Sequence, residues 1–153
     1  MEKISDTSTT REMELRDTAA VISLWQAAGL IRPWNDPEQD IAFAFESANS
    51  EILLAECGNC VVAARLVGHD GHRGWVYYVA SAPEHRGKGF GRKIMQAAEN
   101  WLVQLWGIWK LNLLVREDNR SVLSFYGHLG FKNTATVCLQ KKIGTHNDVA
   151  DNL

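Results

Sequence analysis

Apolar residues recur along this chain with two different periods, and each change of period marks a change of element. In residues 16–28, Val21, Leu24, Trp25 and Ala28 fall at i, i+3, i+4 and i+7, the stripe of an amphipathic helix, and Gly29 is placed to end it. After a loop at 30–35, Asp36, Pro37 and Gln39 occupy the N-cap, first and third positions of a second helix, whose apolar stripe is Ile41, Ala44, Phe45 and Ala48. The runs 52–56 and 61–68 are rich in Val, Leu and Ala and are separated by Gly58-Asn59, which predicts two antiparallel strands and a tight turn. Turn residues at 69–74 lead to a third strand at 75–79.

Phe90, Ile94, Ala97, Ala98, Trp101 and Leu105 restore the helical period as far as Gly107. Residues 110–115 read as a strand. Asn119 then precedes a helix with Val122, Phe125, Tyr126 and Leu129 on one face and Gly130 beyond its end. Alternation of Ala135, Val137 and Leu139 predicts a last strand over 133–140, and a short strand is expected at 9–12. The order implies an α/β (α+β) fold with a mixed, mostly antiparallel sheet flanked by helices.

With 153 residues and 46% hydrophobic content, the chain is expected to form one domain, with a core over about 9–140 and polar tails at 1–8 and 142–153. A net charge of -2 and a pI near 6.2 give no electrostatic case for a nucleic-acid or membrane partner. No apolar run approaches the roughly 20 residues of a membrane span, and the first residues lack a secretory signal's apolar centre, so a cytoplasmic protein is expected. Six tryptophans leave room for an apolar self-association face, and a homodimer is the expected assembly.

Cys57 and Cys60 form a C-x-x-C, yet Gly58-Asn59 between them is a hairpin turn and no second ligand pair stands at a suitable spacing, so no metal is expected. Cys138 lies in a predicted strand without a basic partner, so no covalent nucleophile is expected.

The chemistry concentrates in residues 75–92, WVYYVASAPEHRGKGFGR. A strand stops at Pro83, and Arg86, Gly87, Lys88, Gly89, Phe90, Gly91 and Arg92 open a helix. Glycines permit tight turns, and the unpaired N–H groups and positive dipole end of a helix N-terminus favour an anion, so this stretch reads as a phosphate cradle. The basic cluster Arg86, Lys88, Arg92 and Lys93 has a second reading as a solvated face or nucleic-acid patch, but no aromatic interleaving supports nucleic acid.

Arg86-x-x-Gly89-x-Gly91 after a strand, with Asn119 and Tyr126 on a later helix before Leu129-Gly130-Phe131, resembles the GNAT-type N-acetyltransferases. The segments LIRPWNDPEQDI and GHDGHRG look like the bacterial YpeA-like group of that family, and the resemblance covers about residues 9–140. It implies splayed central strands, acetyl-coenzyme A as acyl donor, and the donor's pyrophosphate on the backbone of residues 87–92. The pantetheine arm would pair with the main chain of Val79, Ala80 and Ser81, where an N–H polarises the thioester carbonyl. Asn119 would contact the cofactor arm, and Tyr126 would protonate the departing thiolate. The same two residues also suit plain structural work, Asn119 as an N-cap and Tyr126 as core.

Many members of the family carry a carboxylate on the strand before the glycine loop, and residues 75–79 here contain none. His69, Asp70 and His72 are candidate bases in a neighbouring turn, although turn formation fits Asp70 and surface exposure the histidines, and Glu84 reads as structural. The base is left open. Arg32, Trp34 and Asn35 lie in the loop that commonly walls the acceptor site in this fold, where Arg32 suits a carboxylate. A peptide N-terminus, a protein lysine, an amino acid and a polyamine all satisfy the sequence. The expected activity is acetyl transfer to a primary amine by direct attack; the alternative is a non-catalytic coenzyme A-binding sensor or interaction module.

Overall fold

The computed structural model describes residues 8–144, so most of the expected tails, 1–7 and 145–153, lies outside the described residues. The chain divides into two compact units, Met1–Leu113 and Leu114–Leu153.

The first unit contains a five-stranded sheet in the order β1-β2-β3-β4-β5. Its strands are β1 (Ser8–Glu12), β2 (Ser50–Cys57), β3 (Cys60–His69), β4 (Gly74–Ser81) and β5 (Leu111–Asn112). The first four pair antiparallel and β5 joins β4 in parallel. The helices are α1 (Thr18–Ala27), α2 (Pro37–Glu46) and α3 (Phe90–Trp106), with 3₁₀ turns at Leu15–Asp17 and Pro83–His85. As the sequence requires, Asp36 caps α2 by accepting the Gln39 N–H at 3.1 Å, with Pro37 at its start.

Burial explains why β2 and β3 read as apolar runs and not as an alternation. Leu54, Ile52 and Ala64 face one cluster with Val21, Leu24, Trp25, Ile41 and Ala44 of α1 and α2. Leu53, Ala55, Val62 and Ala63 face another with Phe90 and Ile94 of α3. Strands covered on both faces need apolar residues at every position. The β2–β3 turn is Gly58-Asn59 with Cys57 opposite Cys60, and Gly58 has φ 64°. At the start of β4, a Cβ on Gly74 would lie 2.5 Å from Leu102 Cδ1, so glycine is what lets α3 pack this close to the strand.

Arg65 and Glu51 form a buried ion pair in this unit. Arg65 is fully buried, donates from Nε to Ile94 O at 3.2 Å and places Nη1 3.6 Å from Glu51 Oε2. Burial lowers the Arg65 pKa to about 10 and raises that of Glu51, each against the pull of its partner.

Two sequence expectations are corrected. The strand expected over 110–115 is confined to Leu111–Asn112. In the second unit, helix α4 (Arg120–His128) forms as expected, but residues 133–140 form no strand. Val137 and Leu139 are exposed and Ala135 has φ 57°. Alternation makes a strand only where a neighbouring edge takes up its backbone hydrogen bonds, and here no strand pairs with this segment among the described residues.

Candidate functional site

The site grows from an irregularity in β4. Ala64 lies opposite Ala80 and Leu66 opposite Tyr77, so three steps of β4 face two of β3. The extra residue is accommodated at Tyr78, whose φ is 54°. On its other side, β4 pairs with β5 only through Gly74 and Trp75. From Val76 to Ser81, therefore, one edge of β4 has no strand partner among the described residues. An unpaired edge with its own N–H and C=O groups is a template for an extended chain. Val79, Ala80 and Ser81 lie on this stretch.

The same strand runs into the glycine loop. Gly87 and Gly89 have φ 81° and 85°, and Gly89 is the N-cap of α3, which has no side-chain cap. A Cβ at Gly89 would meet nothing within 4 Å, so the requirement for glycine there is the backbone conformation itself. The first intrahelical bond is Lys93 N–H to Gly89 O at 3.1 Å, and the N–H groups of Phe90, Gly91 and Arg92 precede it. Arg86, Lys88 and Arg92 are exposed around the loop, while Phe90 turns its side chain into the core. Lys93 bonds instead to Ser8 Oγ at 2.9 Å. Donor backbone, open space and positive charge suit a phosphate-bearing ligand.

A second feature was not legible in the sequence. A cleft of about 650 Å³ opens between α2, the ends of β2 and β3, and β4. Asn35, Asp40, Phe43, Trp75, Tyr77 and Tyr78 contribute to its lining, whereas Arg32 and Trp34 do not. Tyr78 donates a 2.6 Å hydrogen bond to Asp40 Oδ2 and stacks on Trp25. Burial and the Asp40 carboxylate push the Tyr78 phenol well above its ordinary pKa, so it stays a donor. A carboxylate thus reaches the cleft from α2, not from β4. The available signal was Asp40 itself, a charged residue next to the apolar stripe of its helix.

His69 and Asp70 also line the cleft. Asp70 does the turn work expected of it, accepting the N–H groups of His72 and Arg73 at 2.8 and 2.9 Å, which holds its pKa below the ordinary carboxylate value. His72 is exposed as expected, but His69 is not. It accepts the Gly71 N–H at 3.1 Å through Nδ1, its ring lies 4.5 Å from that of Trp106, and its Nε2 is buried. The aromatic residues of α3 cover it.

In the second unit, Asn119 caps α4, accepting the Val122 N–H at 3.3 Å through Oδ1. Tyr126 is buried and packs edge-on between Phe125 and Phe131, with centroids at 5.0 and 5.5 Å. Burial pushes its phenol up to about 12, so it is protonated at neutral pH.

Residues 18–131 match the model of the acetyltransferase (GNAT) family. An acetyltransferase of Yersinia pestis is 38% identical over 136 residues, covering 86% of this chain and 96% of its own length. One of Pectobacterium atrosepticum is 37% identical over the same shares. Among solved structures, the fold resembles aminoglycoside N-acetyltransferase AAC(6')-Iy in complex with CoA, with TM-score 0.80 and 13% identity, over 94% of this chain and 100% of that one. It also resembles the ribosomal-protein-S18-alanine N-acetyltransferase from Escherichia coli, with TM-score 0.71 and 18% identity, over 82% of this chain and 78% of that one.

Proposed function

The chain belongs to the acetyltransferase (GNAT) family and is an N-acetyltransferase, and from that premise we propose how its residues carry the reaction. The donor is acetyl-coenzyme A and the acceptor a primary amine that attacks the thioester directly. The observation that carries this reading is the unpaired β4 edge from Val76 to Ser81 leading into an uncapped α3 N-terminus.

In this reading, the N–H groups at residues 87–92 receive the pyrophosphate, with Arg86, Lys88 and Arg92 supplying charge. The main chain of Val79, Ala80 and Ser81 pairs with the pantetheine arm, and a preplaced N–H there stabilises negative charge on the carbonyl oxygen as the amine attacks. The cap of α4 uses only Oδ1 of Asn119, which leaves its amide N–H₂ for the cofactor arm. Tyr126 donates the proton that the thiolate takes as it leaves, a role open to a phenol that stays neutral, and the proton shed by the attacking nitrogen passes to water and in turn restores the phenol. Asn35 belongs to the acceptor side, because it lines the cleft.

Calorimetric titration with acetyl-coenzyme A, followed by thiol release against a panel of amines and peptides, tests the proposal. Binding with acceptor-dependent release is the expected result. Binding without release from any acceptor would point to a sensor, and folded protein that binds no acetyl-coenzyme A would overturn the reading.

A further inference from the structure

We propose that the acceptor is a di- or polyamine, whose second, non-reacting ammonium is held by Asp40 and the aromatic walls of the cleft beside the β4 bulge. This rests on the acetyl-transfer reading and deepens it by naming the acceptor's class.

The lining of the cleft sets the sign of its ligand. Among the described residues its acidic groups are Asp40 and Asp70, and neither a lysine nor an arginine lines it. An acceptor carboxylate would enter without a cation to meet it and would face two anions. A cationic group finds the opposite. Tyr78 engages Oδ2 of Asp40 at 2.6 Å, and Oδ1 is the oxygen that would accept from an ammonium. Tyr78 is itself fixed by its stack on the fully buried Trp25, so the anchor does not depend on a mobile side chain.

The walls add a second recognition element of the same sign. Phe43, Trp75, Tyr77 and Tyr78 line the cleft, and Phe43 and Tyr77 remain 70% and 49% exposed. Aromatic faces attract organic cations, and they also cover the methylene stems that separate the amines of an aliphatic diamine. A carboxylate that grips an ammonium keeps it protonated, whereas the attacking nitrogen has to be neutral. Asp40 therefore suits a charge elsewhere on the acceptor, and Tyr78, which belongs to both the bulge and the cleft, ties that charge to the strand that would hold the donor.

The test has two arms. In the first, 1,4-diaminobutane and spermidine are titrated calorimetrically into the full chain with and without coenzyme A. Binding by the wild type, weakened about tenfold or more in Asp40→Asn while the variant stays folded and acetyl-coenzyme A affinity holds, is the expected result. In the second arm, thiol release is compared for 1,4-diaminobutane, butylamine and 4-aminobutanoate. We expect kcat/KM to favour the diamine about tenfold over butylamine and further over the amino acid, and Asp40→Asn to erase that preference mainly through KM. Absence of polyamine binding in both conditions overturns the proposal, as does equal use of the diamine and butylamine. An Asp40→Asn loss of kcat shared by every amine also overturns it, since that would make Asp40 part of the chemical step. Polyamine binding by a protein that binds no acetyl-coenzyme A would sink the transfer reading and leave the cation site standing.

Discussion

Tyr78 lies flat on Trp25, ring centroids 4.1 Å apart and planes inclined by 13°, while its own backbone is held at φ 54°. A side chain in the left-handed region costs about 1–2 kcal/mol, and the stack together with the Asp40 hydrogen bond offsets that cost. The bulge at Tyr78 is therefore maintained from α1 and α2.

Replacing Trp25 with Ala removes the platform under Tyr78, and we expect a loss of about 3–5 kcal/mol by urea denaturation. Tyr78→Phe keeps the stack and gives up only the bond to Asp40, at about 1.5–3 kcal/mol. If Trp25→Ala proved no more costly than Tyr78→Phe, the platform would not be what holds the bulge.

Gly89→Ala places a Cβ at φ 85° without a steric clash. The expected stability loss is about 1–2 kcal/mol from backbone strain. Its effect on function should be larger, because the cradle's N–H groups change direction: calorimetry should show acetyl-coenzyme A affinity down by about tenfold or more. Unchanged affinity would detach the glycine loop from the cofactor.

Tyr126→Phe should lower kcat about a hundredfold while acetyl-coenzyme A affinity holds. Burial raises the phenol to about 12, so the protonated donor persists as pH rises and is lost only near that value. The wild-type rate should consequently show no alkaline decline from this group up to about pH 10. A Phe variant with full turnover would return Tyr126 to the core.

Arg11 grips both oxygens of Asp17, at 2.8 and 2.9 Å, and Glu56 at 2.7 Å. Its hydrogen bonds are the main cause that holds the Asp17 pKa down, to about 2 from 3.8. A depressed carboxylate pKa contributes stability that is complete above the unfolded value and lost as pH falls through the folded one. The stability difference between wild type and Arg11→Met should thus be full at about pH 6 and shrink between about pH 4 and pH 2. A difference independent of pH across that window would mean that Arg11 acts through packing.

Much of the fold was legible because it is local. Asp36, Pro37 and Gln39 start α2 where a capping pattern demands, and Gly58-Asn59 turns the hairpin where a tight turn was expected. The glycine loop was legible for the same reason, since positive φ at Gly87 and Gly89 is a property of a few successive residues. Residues 133–140 failed because alternation is only half of a strand. The other half is a partner edge, and no single segment encodes that.

The sequence by itself determined the helices, the hairpin and the anion-binding loop, because periods of about two and 3.6 residues, caps and turns act over a handful of positions. It also carried the family, through glycines and a tyrosine at characteristic places along the chain. Only the tertiary structure decided that β4 bulges at Tyr78, that its edge opens beyond Trp75, and that Asp40 meets Tyr78 from 38 residues away. The Tyr78 bulge and the Asp40 contact arise where α1 and α2 pack on the sheet, and such packing depends on how distant side chains fill one shared volume.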